Sequence, residues 1–176
     1  MSTPSPAGMS TEAATIDARL NDLLGKATIE VYSKNAPETL RAYFPAGRDV
    51  YASFLPGDDV GKRVEIAKAL REGGYNPVLH VPARQMVSAQ MLEDYIGAAA
   101  RDAQINRVLV IAGDSTRPRG SFATAQDVIE SGALQKHGVR HVDVAGHPEG
   151  NVGMSDRKST RLNSSHIPLS RMPSSA

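Results

Sequence analysis

Arg107-Val-Leu-Val-Ile-Ala-Gly-Asp114 and the loop behind it, Ser115-Thr-Arg-Pro-Arg-Gly-Ser-Phe122, decide how the rest of the chain is read. Val108 to Ile111 run without a polar interruption. Such a run suits a strand buried on both faces, the usual state of a parallel sheet covered by helices. Ala112 and Gly113 are small enough to let the chain leave the sheet. Asp114 then stands at the carboxyl end of the strand, where α/β folds place their chemistry. Pattern alone equally allows Asp114 to cap the following helix.

Around this strand the chain alternates helix and strand at short intervals. Ser10 or Thr11 caps a helix carrying Ala14, Ile16, Leu20, Leu23 and Leu24 on one face, with Gly25 as its stop. Residues 26–32 read as a first strand, and Asn35 caps a short helix bearing Leu40, Tyr43 and Phe44. Residues 49–55 are a second strand, followed by a helix capped by Asp58 or Asp59 with Val60, Val64, Ile66, Ala67 and Leu70 inward. Residues 77–82 are a third, ended by Pro82, which cannot donate to a ladder. Ser88 opens the next helix, through Met91, Leu92, Tyr95, Ile96 and Ala99. The Val108–Ile111 strand is fourth. A helix over Phe122–Ile129, extending toward Leu134, precedes a fifth strand at residues 140–146.

Repeated strand–helix–strand units with short connections predict right-handed crossovers and a parallel sheet. The strand spacing fits an α/β fold of the (β/α)8 TIM-barrel type, which needs about 250 residues. Five strands therefore make a barrel truncated after about five βα units. An open doubly wound sheet is the alternative. Its dinucleotide-binding version is disfavoured, because Ser33-Lys-Asn-Ala-Pro37, and no G-x-G-x-x-G, follows the first strand.

The 176 residues contain no cysteine, which excludes disulfides and thiolate metal sites and points to a reducing compartment. No apolar run reaches the roughly twenty residues of a membrane span. Residues 1–9 read as a disordered leader without signal-peptide character, so the cytoplasm is the expected location. Residues 10–155 form the expected partial barrel. From Asp156 onward the composition turns serine-rich and basic, without helical or strand period. Codons available for 156–166 and 170–176 can spell the two constant parts of a common sequencing-library adapter. Residues 156–176 are accordingly read as a non-native tail. It holds Arg157, Lys158, Arg161 and Arg171 against Asp156, so a chain of net charge +1 is mildly acidic over its remaining residues. No nucleic-acid footprint remains.

Glu30, Ser53, His80, Asp114, His147 and Glu149 gather at strand ends, which in a parallel barrel converge on one mouth. Glu30 lies mid-strand between Ile29 and Val31. Burial there would raise its proton affinity and make it a donor near neutrality, unless it faces solvent from an edge strand. His80 reads either as a satisfied core histidine or as a mouth residue. Arg117 and Arg119 beside Gly120 suit either a diphosphate or a solvated loop. No metal spacing can be completed from these histidines and carboxylates.

Val108-Leu-Val-Ile-Ala-Gly-Asp114, then Ser121-Phe-Ala123, then Val144-Ala-Gly-His-Pro-Glu-Gly-Asn151, resemble the methylenetetrahydrofolate reductases, flavin-dependent (β/α)8 enzymes. Glu30 in Thr28-Ile-Glu-Val-Tyr32 matches that family's strand-one glutamate. His80 in Leu79-His-Val-Pro82 resembles its strand-three histidine, and Ser53 falls where the family has a threonine. The resemblance covers about residues 26–151. It implies that Glu30 is the general acid opening methylenetetrahydrofolate and that Asp114 is catalytic beside the flavin and folate. Ser53, His80, Gly113, Asp114, Phe122, Ala123, Ala145 and His147 would line an FAD site. The implied reaction is ping-pong: NAD(P)H reduces FAD, and hydride then passes to the folate, giving 5-methyltetrahydrofolate for one-carbon metabolism and methionine biosynthesis. A homo-oligomer is expected when the protein is full length, and the fragment alone is expected to be inactive. Ala112, His147 and Asn151 depart from the family's arginine, tyrosine and histidine, and Ser33-Lys34 replaces its Pro-Pro, which marks a divergent branch. A phosphate-binding TIM-barrel lyase or isomerase would need a lysine at a strand end, and none is offered. A non-catalytic flavin- or folate-binding module is the remaining alternative.

Overall fold

Val108 and Val110 are fully buried, while Arg107, Leu109 and Ile111 are half-buried. The central strand thus has one covered face and one partly open face, not the two buried faces its apolar run predicts. The computed structural model describes residues 7–55, 57–113 and 115–146, with residues 7–14 by backbone only. The order is α1 (Ala7–Lys26), β1 (Ile29–Val31), α2 (Ala36–Leu40), β2 (Asp49–Ala52), α3 (Val60–Glu72) and β3 (Asn76–Pro82). A 3-10 turn (Ala83–Gln85), α4 (Ala89–Ala103), β4 (Arg107–Ile111), α5 (Ala125–Glu130), α6 (Ala133–Lys136) and β5 (His141–Val144) follow. All five strands pair in parallel, in the order β1-β2-β3-β4-β5.

A sequential parallel order with right-handed crossovers puts every crossing helix on the same face. Doubly wound sheets reverse their strand order, and no reversal occurs among the described strands. The sheet is α/β and compatible with an arc of a β/α barrel. The register sorts its residues. Val31, Val50, Ala52, Leu79, Val81, Val108, Val110 and Val142 share one core with Ile66 and Leu70 of α3, Leu92 and Ile96 of α4, and Leu134 of α6. The opposite face carries Glu30, Tyr51, Val78, His80, Leu109 and Asp143 in register across the strands. Apolar side chains fill the helix side, and polar ones collect on the other.

The helix starts are legible in their caps. Asp59 accepts from the Gly61 amide at α3, and the Ser88 hydroxyl accepts from Met91 at α4. The helix expected from Phe122 begins instead at Ala125, because Thr124 and Asp127 form a capping box that fixes its first turn. Phe122 is left to pack into the core. Two further expectations are corrected at the N-terminus. α1 begins at Ala7, inside the expected leader and ahead of Ser10, and runs through Gly25 to Lys26. Its apolar positions Ile16, Leu20, Leu23 and Leu24 do share a face, but all four are exposed. The expected non-native tail, 156–176, lies outside the described residues. No helix among the described residues is long and apolar enough to cross a membrane.

One polar network crosses the open face from β2 to β5. Arg107 Nε and Nη2 bond the two oxygens of Asp143 at 2.8 and 3.1 Å, and Nη1 bonds Asp49 Oδ2 at 2.7 Å. The buried Tyr51 hydroxyl donates to Asp143 Oδ2 at 2.9 Å. Burial, reinforced by the Asp143 charge, pushes the Tyr51 phenol well above its ordinary value, so it remains a donor. These bonds tie β2 to β4 and β5 across β3. Asp143→Ala strips partners from both Arg107 and Tyr51 and is expected to cost about 2–4 kcal/mol. Tyr51→Phe should cost only about 1 kcal/mol. Urea unfolding of the two variants checks this; a milder effect for Asp143→Ala would show that the network does not hold the strands.

Candidate functional site

At the carboxyl end of the same face, three consecutive strands deliver three polar side chains to one place. Ser53 immediately follows β2, and its amide continues the ladder to the Val31 carbonyl at 3.1 Å. Its buried hydroxyl donates to Glu30 Oε2 at 2.7 Å. Glu30 Oε1 lies 4.0 Å from His80 Nε2. The Tyr51 ring meets the His80 ring edge-on, centroids 5.8 Å apart, and the Tyr95 hydroxyl donates to the His80 carbonyl at 2.9 Å. Strand alternation explains the gathering: Glu30, Ser53 and His80 all stand on the face that the helices leave open.

Glu30 does not have the burial that mid-strand placement suggested. Its side chain is 51% exposed, because β1 is an edge strand with a partner on one side only among the described residues. It therefore stands as a reachable carboxylate with one oxygen tied by Ser53. His80 is the buried member, 6% exposed. Burial lowers its proton affinity, the nearby Glu30 carboxylate opposes that, and the Arg63 guanidinium adds to the lowering. The ring is kept neutral at neutral pH. Its Nε2 has no hydrogen-bond partner among the described residues.

The loop after β4 is built by an arginine that sequence reading did not single out. Arg84 Nε donates to the Ala123 carbonyl at 3.0 Å, and Nη1 to the Ser115 carbonyl at 2.9 Å. The Arg84 amide donates to the Ala112 carbonyl, and its own carbonyl accepts from the Arg119 amide at 2.9 Å. Gln85 Nε2 bonds Ser115 Oγ at 2.8 Å. Gly120 packs so closely that a Cβ there would sit 2.4 Å from the Val87 carbonyl oxygen. The turn after β3 and the loop after β4 are thus one clamped unit. Within that unit the Arg119 amide is committed to the Arg84 carbonyl, while the side chains of Arg117 and Arg119 are exposed.

Of the expected flavin-lining residues, Ser53 and His80 meet at the mouth. Gly113 follows β4 with φ +87° and lies against Pro82, which ends β3; Ala145 follows β5 and is half-buried. Phe122 belongs to the core, and Ala123 has its amide bonded to Asp127 and its carbonyl to Arg84. Asp114, His147 and Glu149 lie outside the described residues. Among the described residues, no three His, Asp or Glu side chains gather as a metal-ligand set. No known family model matches the chain.

The depressed proton affinity of His80 has a definite sign in stability. With a folded-state value below the ordinary 6.5, the unfolded chain binds that proton more readily. The contribution is therefore complete above pH 6.5 and is lost as the pH falls from there toward the folded midpoint. As the pH falls below 6.5, unfolding free energy should decline with a steeper slope than in His80→Gln. Equal slopes would mean that His80 titrates as it does in the unfolded chain. In Glu30→Gln the His80 midpoint, read by NMR, should move further down, since the opposing carboxylate is gone.

Proposed function

We propose that the chain is the amino-terminal arc of a (β/α)8 flavoenzyme of the methylenetetrahydrofolate reductase type, acting in the cytoplasm with FAD and NAD(P)H on 5,10-methylenetetrahydrofolate. The observation that carries the reading is the convergence of Glu30, Ser53 and His80 from three successive parallel strands. Those are three positions at which the sequence resembles the family's site, and they lie on the sheet face opposite the helices. Sequence alone left His80 open between core and mouth; its 4.0 Å approach to a half-exposed carboxylate favours the mouth.

The residues suit a flavin in a way this chain itself displays. A buried ring nitrogen without a partner costs about 1–3 kcal/mol, which the polar edge of a bound ligand would relieve. Ser53 and His80 would hold the cofactor from one side, with Gly113 and Ala145 at the neighbouring strand ends. Bound flavin supplies the hydride chemistry. The chain's own part is acid–base and orienting. The Ser53 hydroxyl occupies Glu30 Oε2 and leaves Oε1 toward the mouth; the proton-donor role that the resemblance gives Glu30 would need bound cofactor and folate to supply the burial that the 51% exposed side chain lacks without them. Half-exposure gives that oxygen a path to substrate. The neutral His80 beside it offers a hydrogen bond without adding a competing cation. A phosphate-binding barrel lyase or isomerase is disfavoured, because no described strand ends in the lysine it would need.

Protein purified from the complete reading frame should be yellow with bound FAD and bleach with NADH or NADPH. Glu30→Gln should keep that bleaching and lose folate turnover by about 100-fold or more. Colourless protein that ignores added FAD sinks the proposal. Flavin that binds but is never reduced leaves only a binding module, and equal loss of both half-reactions removes the proton-donor role from Glu30.

A further inference from the structure

Arg63 ends the first turn of α3 on the same buried stripe as Ile66, Ala67 and Leu70, and only 4% of its side chain is exposed. Its fork is spent on the loop that leaves β2. Nη1 donates to the Ser53 carbonyl, and Nη2 pairs with Asp58 Oδ2 at 3.1 Å. The same Asp58 oxygen accepts the Leu55 amide at 2.7 Å, and the Asp58 amide returns to the Leu55 carbonyl at 3.0 Å. One buried cation therefore ties down both ends of the segment from Ser53 to Asp58.

We propose that Arg63 is a positioning residue: its guanidinium fixes the Ser53 backbone, and Ser53 in turn holds the Glu30 carboxylate beside His80. The significance of this for catalysis rests on the reading of the mouth as the flavin and folate site; the positional coupling does not. Glu30 needs such a brace. It is half-exposed on an edge strand, and its described polar neighbours are the Ser53 hydroxyl at 2.7 Å and the His80 ring at 4.0 Å. With its amide on Val31 and its carbonyl held by a buried fork, Ser53 presents its Cα from a fixed place, leaving only the χ1 rotation for the Glu30 bond to set, which pre-organises the carboxylate. The fork explains why the residue is arginine. A lysine could supply the charge but not two donors at fixed angles to a carbonyl and a carboxylate.

His80 reports the coupling without any ligand. The groups facing it are Glu30 from β1, Tyr51 from β2, Arg63 from α3 and Tyr95 from α4. Glu30 pulls its proton affinity up, and Arg63 pushes it down. Arg63→Lys retains the cation and removes the fork. Its expected effect on the His80 NMR midpoint is therefore that of a carboxylate set loose, a fall of about 0.3 pH unit or more. Ser53→Ala should give a fall of similar size, and the double variant little beyond either single one. The titrations use the full chain, with the His80 signal assigned by its loss in His80→Gln. An unchanged midpoint in Arg63→Lys or in Ser53→Ala, or additive shifts in the double variant, overturns the proposal. Should Arg63→Lys not fold, Asp58→Asn reads the same coupling, because it leaves Arg63 in place and removes the carboxylate that anchors it. With FAD, Arg63→Lys should loosen binding about tenfold, the size of one lost charge-assisted hydrogen bond. If the wild type takes up no FAD, the flavin reading fails, while the His80 shifts still decide the role of Arg63.

Discussion

The helices crossing between five sequential parallel strands are confined to one face of the sheet, and everything distinctive about the chain follows from that one-sidedness. Right-handed crossovers allow no other placement when strand order never reverses. The valines, alanine and leucine of the covered face make a core with α3, α4 and α6. The residues between them, offset by one along each strand, are driven to the opposite side by the two-residue period alone. A slip of one residue in a strand would turn that strand's own polar residue, Glu30, Tyr51, His80, Arg107 or Asp143, under the helices. Their desolvation would exceed any gain from the valines they displaced.

The open face holds two polar groups at shared levels of the sheet, since Glu30 pairs with Tyr51 and His80 lies level with Asp143 through Leu109. In one, Arg107, Asp143, Asp49 and Tyr51 bond to one another and tie strands together. In the other, on β1 and β3, Glu30 is half-exposed and His80 keeps a buried nitrogen without a hydrogen-bond partner among the described residues. The contrast separates structure from chemistry. A polar cluster that satisfies itself has little to offer a ligand, whereas one with a reachable carboxylate and an unmet nitrogen does. Tyr51 joins the two groups, since its hydroxyl bonds Asp143 and its ring meets His80 edge-on.

Strand existence and the parallel class were legible in the chain because β-branched runs such as Val108–Ile111 and the caps at Asp59 and Ser88 are local signals. The burial of β4 was misjudged for a physical reason. An apolar run cannot tell a strand covered on both faces from one whose second face is closed only by neighbours, and Leu109 and Ile111 are of the second kind. Phe122 was placed in a helix by its apolar character, although Thr124-Ala-Gln-Asp127, starting two residues on, is a capping box that could have moved the start. Glu30, Ser53 and His80 were singled out by position at strand ends, and the register brought them together. The burial of Glu30 was not readable, because edge status depends on which strands pair. Arg63 and Arg84 were overlooked because a charge within an amphipathic helix or a loop reads as solvated until the fold covers it. The pair Asp58 and Asp59 held a clue to the first: one helix start needs one cap, and the second carboxylate was free for Arg63.

Arginine is the recurrent answer where this fold must join segments that are not neighbours in a ladder. Arg63 joins the Ser53 carbonyl to Asp58, and Arg84 joins the turn after β3 to the loop after β4. Arg71 bonds the Ala103 and Gln104 carbonyls at the end of α4 together with Asn76, and Arg107 bridges three strands. In these cases a planar fork meets backbone carbonyls, amide oxygens or carboxylates whose lone pairs would otherwise go unmet at the end of a strand or helix. An ammonium group cannot span two such acceptors at fixed angles, and an apolar side chain would leave them without a partner. These four forks are therefore spent where segments must be joined outside a ladder. Those are also the places from which loops carry side chains to the mouth, so the bonds that finish the fold also aim the site.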